Sequence, residues 1–422
     1  MSVRLSEFDQ ACLSGDLGEA ARTSMRILAT MADIYDAPEL LDITSAHVDG
    51  CLFHGDSGID FAELLVAGGG AVRVPTTLNV GAVDLLHPES FNGPAELRAR
   101  GLRLMQAYET MGCRAIWTCA PYQVDHRPKL GEQVAWAESN AIAFVNSVLG
   151  ARSNRYGDFI DICAAITGRA PACGLHVAEN RRGRVLYDVG GLAPELLASP
   201  VLAPVLGYFI GADCASAIPV IQGLLPSTDE DFLKALGAAA ASSGAVALFH
   251  AVGVTPEAPT SDAAFQGHEP ERRVTVTLQA LESARDRLST VPDGRLEAVA
   301  LGSPHFSWGE FERLMPLVAR WPPTSEVDFV VCTNRFTLAR LENAGWDAQL
   351  REAGVRLVVD TCVVVTPILR ALEGSLMTNS GKFAHYTPGN TGLGVIFGSL
   401  KECVRSAALG EVWRDPDLWE AG

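Results

Sequence analysis

The sequence has no run of roughly 18 apolar residues, the length that spans a bilayer, and its opening MSVRLSEFDQACLSGD lacks the apolar core of a secretory leader. Both absences point to the cytoplasm. Its ten cysteines (Cys12, Cys51, Cys113, Cys119, Cys163, Cys173, Cys214, Cys332, Cys362, Cys403) form no CxxC pair and no closely spaced Cys/His zinc signature. In a reducing compartment they read as small buried hydrophobes, with a few available as ligands. A P-loop, HExxH and GxSxG are also missing, and no GxGxxG lies between a strand and a helix; Gly68-Gly69-Gly70 reads as a turn. Nucleotide binding and the common hydrolase chemistries lose their support. There is no fixed-period repeat and no low-complexity tract. Positive charge is scarce: Lys+Arg 33 against Asp+Glu 50 leaves −17, a field that repels phosphate backbones and anionic membranes.

What is present is the composition of a folded globular protein, 422 residues with 48% hydrophobic, 20% charged and 7% aromatic residues. At about 150 residues per domain, the length predicts two or three domains. Residues 1–40 have helical spacing with a break at Ser14-Gly15-Asp16, so two helices open the chain. LLDITSAHVDG then reads as a short strand leaving Ser45, Ala46, His47 and Asp49 at its end. AVRVPTTLNVGAVDLL repeats the pattern with Thr76, Thr77 and Asn79, and CRAIWTCAPY repeats it again. Such strand ends carry the chemistry of α/β proteins.

From Gly131 to Gly150 the spacing is helical throughout, interrupted by Glu138, Asn140 and Ser147, which must be hydrogen-bonded or face a ligand. LHVAENRRGRVLYDV looks like a hairpin through Asn180-Arg181-Arg182-Gly183. A second region begins near Ala203, and its Pro-rich, charged residues 254–272 resemble a linker or surface excursion. Residues 273–375 alternate helix and strand in a parallel, doubly wound pattern with Gly302-Ser303-Pro304-His305, Cys332-Thr333-Asn334 and Asp360-Thr361-Cys362 at strand ends. The fold class is therefore α/β: two or three domains with largely parallel, doubly wound sheets around a crevice. The expected boundaries are 1–200, 201–272 and 273–422, the first region carrying most of the substrate loops.

Each polar residue at these strand ends, taken alone, is more readily a satisfied core or turn group than a functional one. Cys119 and Cys362 stand out because each follows a Thr after an apolar run and precedes a pocket-like loop. Lys382 and His385 form a basic pair in a Gly-rich stretch, which suits capture of a carboxylate; otherwise that stretch is an ordinary surface loop.

Nine segments taken together, ITSAHVDG, VPTTLN, TCAPY, GEQVAWAESNAIAFVNSVLGARSNR, LHVAEN, GAVALFHAVGVTPEA, LGSPHFS, VDTCVVV and SGKFAHY, resemble in the same order the catalytic large chain of the aconitase X family of hydro-lyases. The resemblance covers nearly the whole chain. It implies removal of water from a hydroxy acid at iron or an iron–sulfur cluster, a Lewis acid that assists loss of a poor leaving group while a base takes the neighbouring proton. Cys119 and Cys362 match metal-ligand positions of the family, and Cys51 is the substitute for a third. Archaeal members carry cysteine where Ser303 stands, so the resemblance implies a 2Fe-2S cluster in preference to 4Fe-4S or mononuclear iron.

By the same resemblance Ser45, His47, Glu138 and Lys382 are catalytic candidates, and Asn79, Asn140, His305 and His385 substrate-binding ones. The archaeal type acts on phosphorylated mevalonate, and bacterial relatives dehydrate cis-3-hydroxy-L-proline to 1-pyrroline-2-carboxylate. PTTLNVGAVDLLHPE, AHVDGCLFHG and Ser303 look more like the bacterial type. A small swivelling domain is expected as a separate subunit. The competing expectations are a metal-free enzyme in which Cys119 or Cys362 pairs with His47 or His305, and a regulatory or ligand-binding subunit.

Overall fold

The computed structural model describes residues 3–124, 127–370 and 375–419. Two compact units emerge, Met1–Val83 with Gly93–Arg182, and Asp84–Asn92 with Gly183–Gly422.

The first unit opens on the two expected helices, Glu7–Ser14 and Glu19–Ile34. Ser6 and Asp9 close a reciprocal capping box on the first, and Gly15, at φ 91, ends it. Five short strands follow: β1 (Leu40–Asp42), β2 (Ala46–Val48), β3 (Thr76–Leu78), β4 (Ala135–Trp136) and β5 (Arg169–Pro171). β1 and β5 pair antiparallel, whereas β3-β2-β4 is a parallel sheet. Its pleat sorts the residues. Ala46, Val48, Leu78 and Ala135 face a core with Leu65, Leu104, Tyr108 and Ile162, so Thr77, His47 and Trp136 stand side by side on the opposite face.

Several local expectations are corrected here. Thr76, Thr77 and His47 lie inside strands rather than in loops after them. CRAIWTCAPY supplies only a bridge from Arg114 to Thr77 and a turn at Pro121–Gln123. The run from Gly131 to Gly150 divides into β4 and the helix Ser139–Ser147, because the Glu138 side chain caps that helix by accepting from Ala141 N. The hairpin at Asn180–Gly183 does not form. Residues Gly174–His176 and Ala178–Arg181 are 3-10 turns. Arg181 is the cause: its buried guanidinium donates to the carbonyls of Asn146, Ala151 and Leu175, tying the stretch down where a turn would expose it.

The second unit holds two parallel sheets. β6 (Val185–Asp188), β7 (Pro219–Gln222), β8 (His250–Ala251) and β9 (Arg272–Thr275) stand in the order β8-β7-β6-β9. Residues 254–272 are not a free excursion, since Ala258, Ala264 and Phe265 pack on Leu186 and Val220. The remaining strands are β10 (Leu296–Phe306), β11 (Asp328–Thr333), β12 (Val355–Val358), β13 (Ser375–Thr378) and β14 (Gly394–Phe397), ordered β12-β11-β10-β13-β14 and all parallel. This is the doubly wound sheet read from the alternating pattern. The Gly-rich stretch holding Lys382 and His385 is a helix, Gly381–Thr391, rather than a loop, because Ser380 caps it by accepting from Phe383 N.

The short run Asp84–Asn92 belongs to this second unit. Val359 N donates to Asp84 Oδ2 at 3.0 Å, Leu85 N to Asp360 Oδ2 at 3.1 Å and Asn92 N to Pro367 O at 2.8 Å. Among the described residues no helix is long and apolar enough to cross a membrane.

Helices Leu202–Cys214 and Glu230–Ser243 cross at two glycines. A Cβ on Gly207 would stand 2.2 Å from Leu236 O, and one on Gly211 2.5 Å from Ala240 O. Gly211→Ala should raise intrinsic helix propensity by about 1 kcal/mol. Backbone overlap wins, and the variant is expected to lose about 2–4 kcal/mol in urea unfolding. Unchanged stability would show that the helices separate without penalty.

Candidate active site

In the first unit the functional candidates gather around β2. His47 shares its row with Thr77 and Trp136, its Nδ1 lying 2.9 Å from Thr77 Oγ1 and its ring 5.6 Å from that of Trp136. Burial without a charge partner pushes the imidazole down to about 3, so it is neutral at pH 7. Its Nε2, with Ser45 Oγ and Asn79 Oδ1, is buried and has no hydrogen-bond partner among the described residues. Orphaned polar atoms in one neighbourhood mark a place where a ligand or water completes the bonding.

The loop after β2 is clasped by Asp161, which accepts from Asp49 N at 2.7 Å, Gly50 N at 3.4 Å and Ile162 N at 2.6 Å. Burial lifts this carboxyl to about 7 despite those donors. Asp49 bonds closely to Asn79 Nδ2. Burial first, and then the charges of Glu138 and Asp158, drive the Asp49 carboxyl well above the usual range. Asp49 was visible in the AHVDG loop, yet nothing in one sequence distinguishes it from an ordinary turn aspartate.

Glu138 accepts from Ala141 N at 2.8 Å and from Ser139 Oγ at 3.3 Å, and it bonds closely to Asn140 Nδ2. Asn140 Nδ2 also donates to Cys119 O at 3.0 Å, and Tyr122 OH donates to Asn140 Oδ1 at 2.9 Å. Tyr122 stacks on Phe144. One network therefore holds the carboxylate and the backbone of Cys119 together. Tyr122 escaped the sequence reading although it lies in TCAPY.

In the second unit the strand order reverses between β10 and β13, the switch point at which open α/β sheets bind ligands beyond their carboxyl ends. His305 Nε2 donates to Thr361 O at 3.1 Å, which brings the end of β10 beside Thr361-Cys362. Burial, helped by the charges of Lys234 and Lys382, lowers His305 to about 4. Ser380 Oγ bonds closely to Ser303 O and caps the helix whose first turn carries Lys382. His385, on the same helix, is exposed, its ring near those of Tyr208 and Tyr386.

The cysteines differ in setting. Cys51 is fully buried, with Sγ directed at the carbonyls of Val48, Asn79 and Val80 at 3.6, 3.5 and 3.7 Å, and burial pushes its thiol well up. That is the setting of a packed thiol donor. Cys119 and Cys362 instead each follow, two positions on, a non-glycine residue at positive φ: Trp117 at 44° and Asp360 at 64°. Arg335 holds Asp360 by two bonds, Nε at 2.5 Å and Nη2 at 2.7 Å. Strained residues of this kind persist only where surrounding structure enforces them, and they concentrate at functional sites. Among the described residues no three His, Cys, Asp or Glu side chains stand together as a finished ligand set.

This arrangement of parallel sheets with polar strand ends is that of a multidomain α/β protein. The chain matches the aconitase X first domain over residues 2–179, the second over 183–286 and the third over 296–409. It belongs to the aconitase X family and is a dehydratase of that family. It is 45% identical to the cis-3-hydroxy-L-proline dehydratase of Pseudomonas aeruginosa over 96% of this chain and 70% of the relative. The enzyme of the same name from Hypocrea jecorina is 40% identical over 97% and 69%. The phosphomevalonate dehydratase large subunit of Methanothermobacter thermautotrophicus is 36% identical over 96% and 98%. The crystal structure of Thermococcus kodakaraensis aconitase X in its holo-form superposes with a TM-score of 0.86 at 31% identity, covering 96% of this chain and 100% of that one.

The buried imidazoles set an acid limit. Unfolded histidine protonates near 6.5, whereas His47 and His176 do so at about 3 and His305 at about 4. The unfolded state therefore binds more protons, and stability complete above pH 6.5 is lost as pH falls through that value toward 4. The slope is about 1.4 kcal/mol per pH unit for each histidine. His176→Gln, whose parent lies 2.6 Å from Gln133 Oε1, should flatten the profile of unfolding free energy between pH 6 and 4; an unchanged slope would count against a neutral His176.

Proposed function

We propose that this dehydratase converts cis-3-hydroxy-L-proline to 1-pyrroline-2-carboxylate. The observation that carries the reading is identity: 45% and 40% to two enzymes of that name, against 36% to the phosphomevalonate dehydratase large subunit of Methanothermobacter thermautotrophicus. The reaction removes the C2 proton and the C3 hydroxyl, and the resulting enamine tautomerises to the cyclic imine. A base must reach C2, a proton must reach the departing oxygen, and the carboxylate must be held.

The residues support that division of labour. Lys382, in the first turn of its helix, offers an ammonium and the positive helix end to the carboxylate. Glu138 is the proposed base, its orientation set by Ala141 N and Asn140. Neutral His47, with Nε2 unpartnered among the described residues, and Ser45 serve the hydroxyl side. Asn79, Asn140, His305 and the exposed His385 are the proposed substrate contacts.

The proposed cofactor is an iron centre that uses few thiolates. Cys119 and Cys362 would hold it, and a 2Fe-2S cluster suits that number better than 4Fe-4S. Cys51 would join only by giving up its three carbonyl contacts. When bound, such a centre supplies Lewis acidity to the leaving hydroxyl. The proposed setting is the cytoplasm, and the proposed partner is a separate small subunit. Relatives named large subunits, matched over 98% and 99% of their own length, support that partner.

The protein coexpressed with candidate small subunits, purified anaerobically and assayed with both substrates, is expected to consume cis-3-hydroxy-L-proline. Turnover of phosphomevalonate alone would reverse the assignment. Iron and acid-labile sulfide should each approach about two per chain. Cys119→Ala should lower kcat about a thousandfold without unfolding the protein. Full activity without iron, with one hyper-reactive thiol, would point instead to a cysteine nucleophile.

A further inference from the structure

The end of β10 is held in an unusual way. The ladder register breaks between Leu301 and Phe306, so the intervening carbonyls lose the regular partners of a parallel sheet. Side chains from three other elements take over. Ser380 Oγ bonds Ser303 O, Lys234 Nζ lies 3.4 Å from His305 O, and Thr333 Oγ1 donates to Phe306 O at 2.7 Å.

Of these three, Lys234 alone carries a charge, and it is 2% exposed. Its ammonium pairs closely with Glu310 and lies 3.3 Å from Asp231. Both carboxylates lead back to the same segment. Glu310 Oε2 accepts from Ser307 N at 2.8 Å, and Ser307 Oγ donates to Asp231 Oδ2 at 2.8 Å. Arg313 Nη2 balances Asp231 at 3.0 Å. Packing does not replace these bonds on that side, because a cavity of about 390 Å³ is lined by Gly302, Ser303 and Pro304 together with Lys234, Asp231 and Glu310. A buried ionic cluster often stabilises no better than an apolar one of the same shape, so its use beside a cavity suits a role in fixing geometry.

We propose that Lys234 is a positioning residue that fixes the Ser303–Ser307 segment, so that the His305 ring stays directed at Thr361 and the Ser303 hydroxyl keeps its place at the strand end. The proposal rests on reading His305 as substrate-facing, and the experiment separates the two. Lys234→Met alone leaves two carboxylates short of a cation and risks misfolding, so it is paired with Glu310→Gln, which keeps an acceptor for Ser307 N.

With the full protein and its small subunit, the double variant is expected to retain its iron content and fold. Its kcat should fall about thirtyfold, with a KM change of less than about threefold. Lys234→Arg should recover part of the loss. His305→Asn should also lower kcat, and adding the double substitution to it should cost less than about threefold more, since the tether acts through that segment. A stability loss with unchanged kcat, or full additivity with His305→Asn, would overturn the role of Lys234 while leaving His305 in place. Wild-type turnover by His305→Asn would remove the reading of His305 and the proposal with it.

Discussion

Strands in a parallel sheet are covered on both faces, so their backbone groups are paired along their length and unpaired at their ends. Much of the polar arrangement in this protein follows from that constraint. His47, Asn79, Ser303, His305 and Asp360 sit within three residues of the carboxyl ends of β2, β3, β10 and β12, and Glu138 and Ser380 cap the helices that follow β4 and β13. Where a ladder stops, the next hydrogen-bond partner must come from a side chain: Asn140, Ser380 and Thr333 donate to backbone carbonyls, and Asp161 accepts from backbone N–H groups. The groups that shape the candidate site are thus the ones that finish the sheets.

The same constraint explains the electrostatics. Asp49 and Asp161 are withdrawn from water, and in each carboxyl burial outweighs the hydrogen bonds made to it. Both carboxyls are therefore harder to ionise than a surface aspartate. In the second unit the balance is different: Arg335 meets Asp360, and Lys234 meets Glu310, so charge is kept but compensated.

Much of this was legible in the sequence. The opening helices were read from amphipathic spacing, and β10 to β12 from long alternating segments. The family followed from nine ordered segments. What failed was short or context-dependent. β2, β3 and β4 are two or three residues long, below the window in which a period of two can be seen, so His47 and Thr77 were placed after strands they lie within. Arg181 resembled a surface turn because its carbonyl partners are distant in sequence or exposed only by the fold. The Gly381–Thr391 helix was hidden by its glycines and Pro388, and Glu138 looked like an interruption of a helix when it is the start of one. Lys234 sat in an Ala-rich helix where nothing local distinguishes it from a solvated lysine.

The nine residues Asp84–Asn92 have a further consequence. They are made early, yet Val359, Asp360, Pro367 and Ile368, to which they bond, lie some 275 positions later. During synthesis this stretch must wait on the ribosome-borne chain until nearly the whole polypeptide has emerged. Ordering here is therefore delayed by high contact order rather than by weak bonds. A chain halted before residue 359 would carry this stretch without its partners, a natural handle for chaperones and proteases.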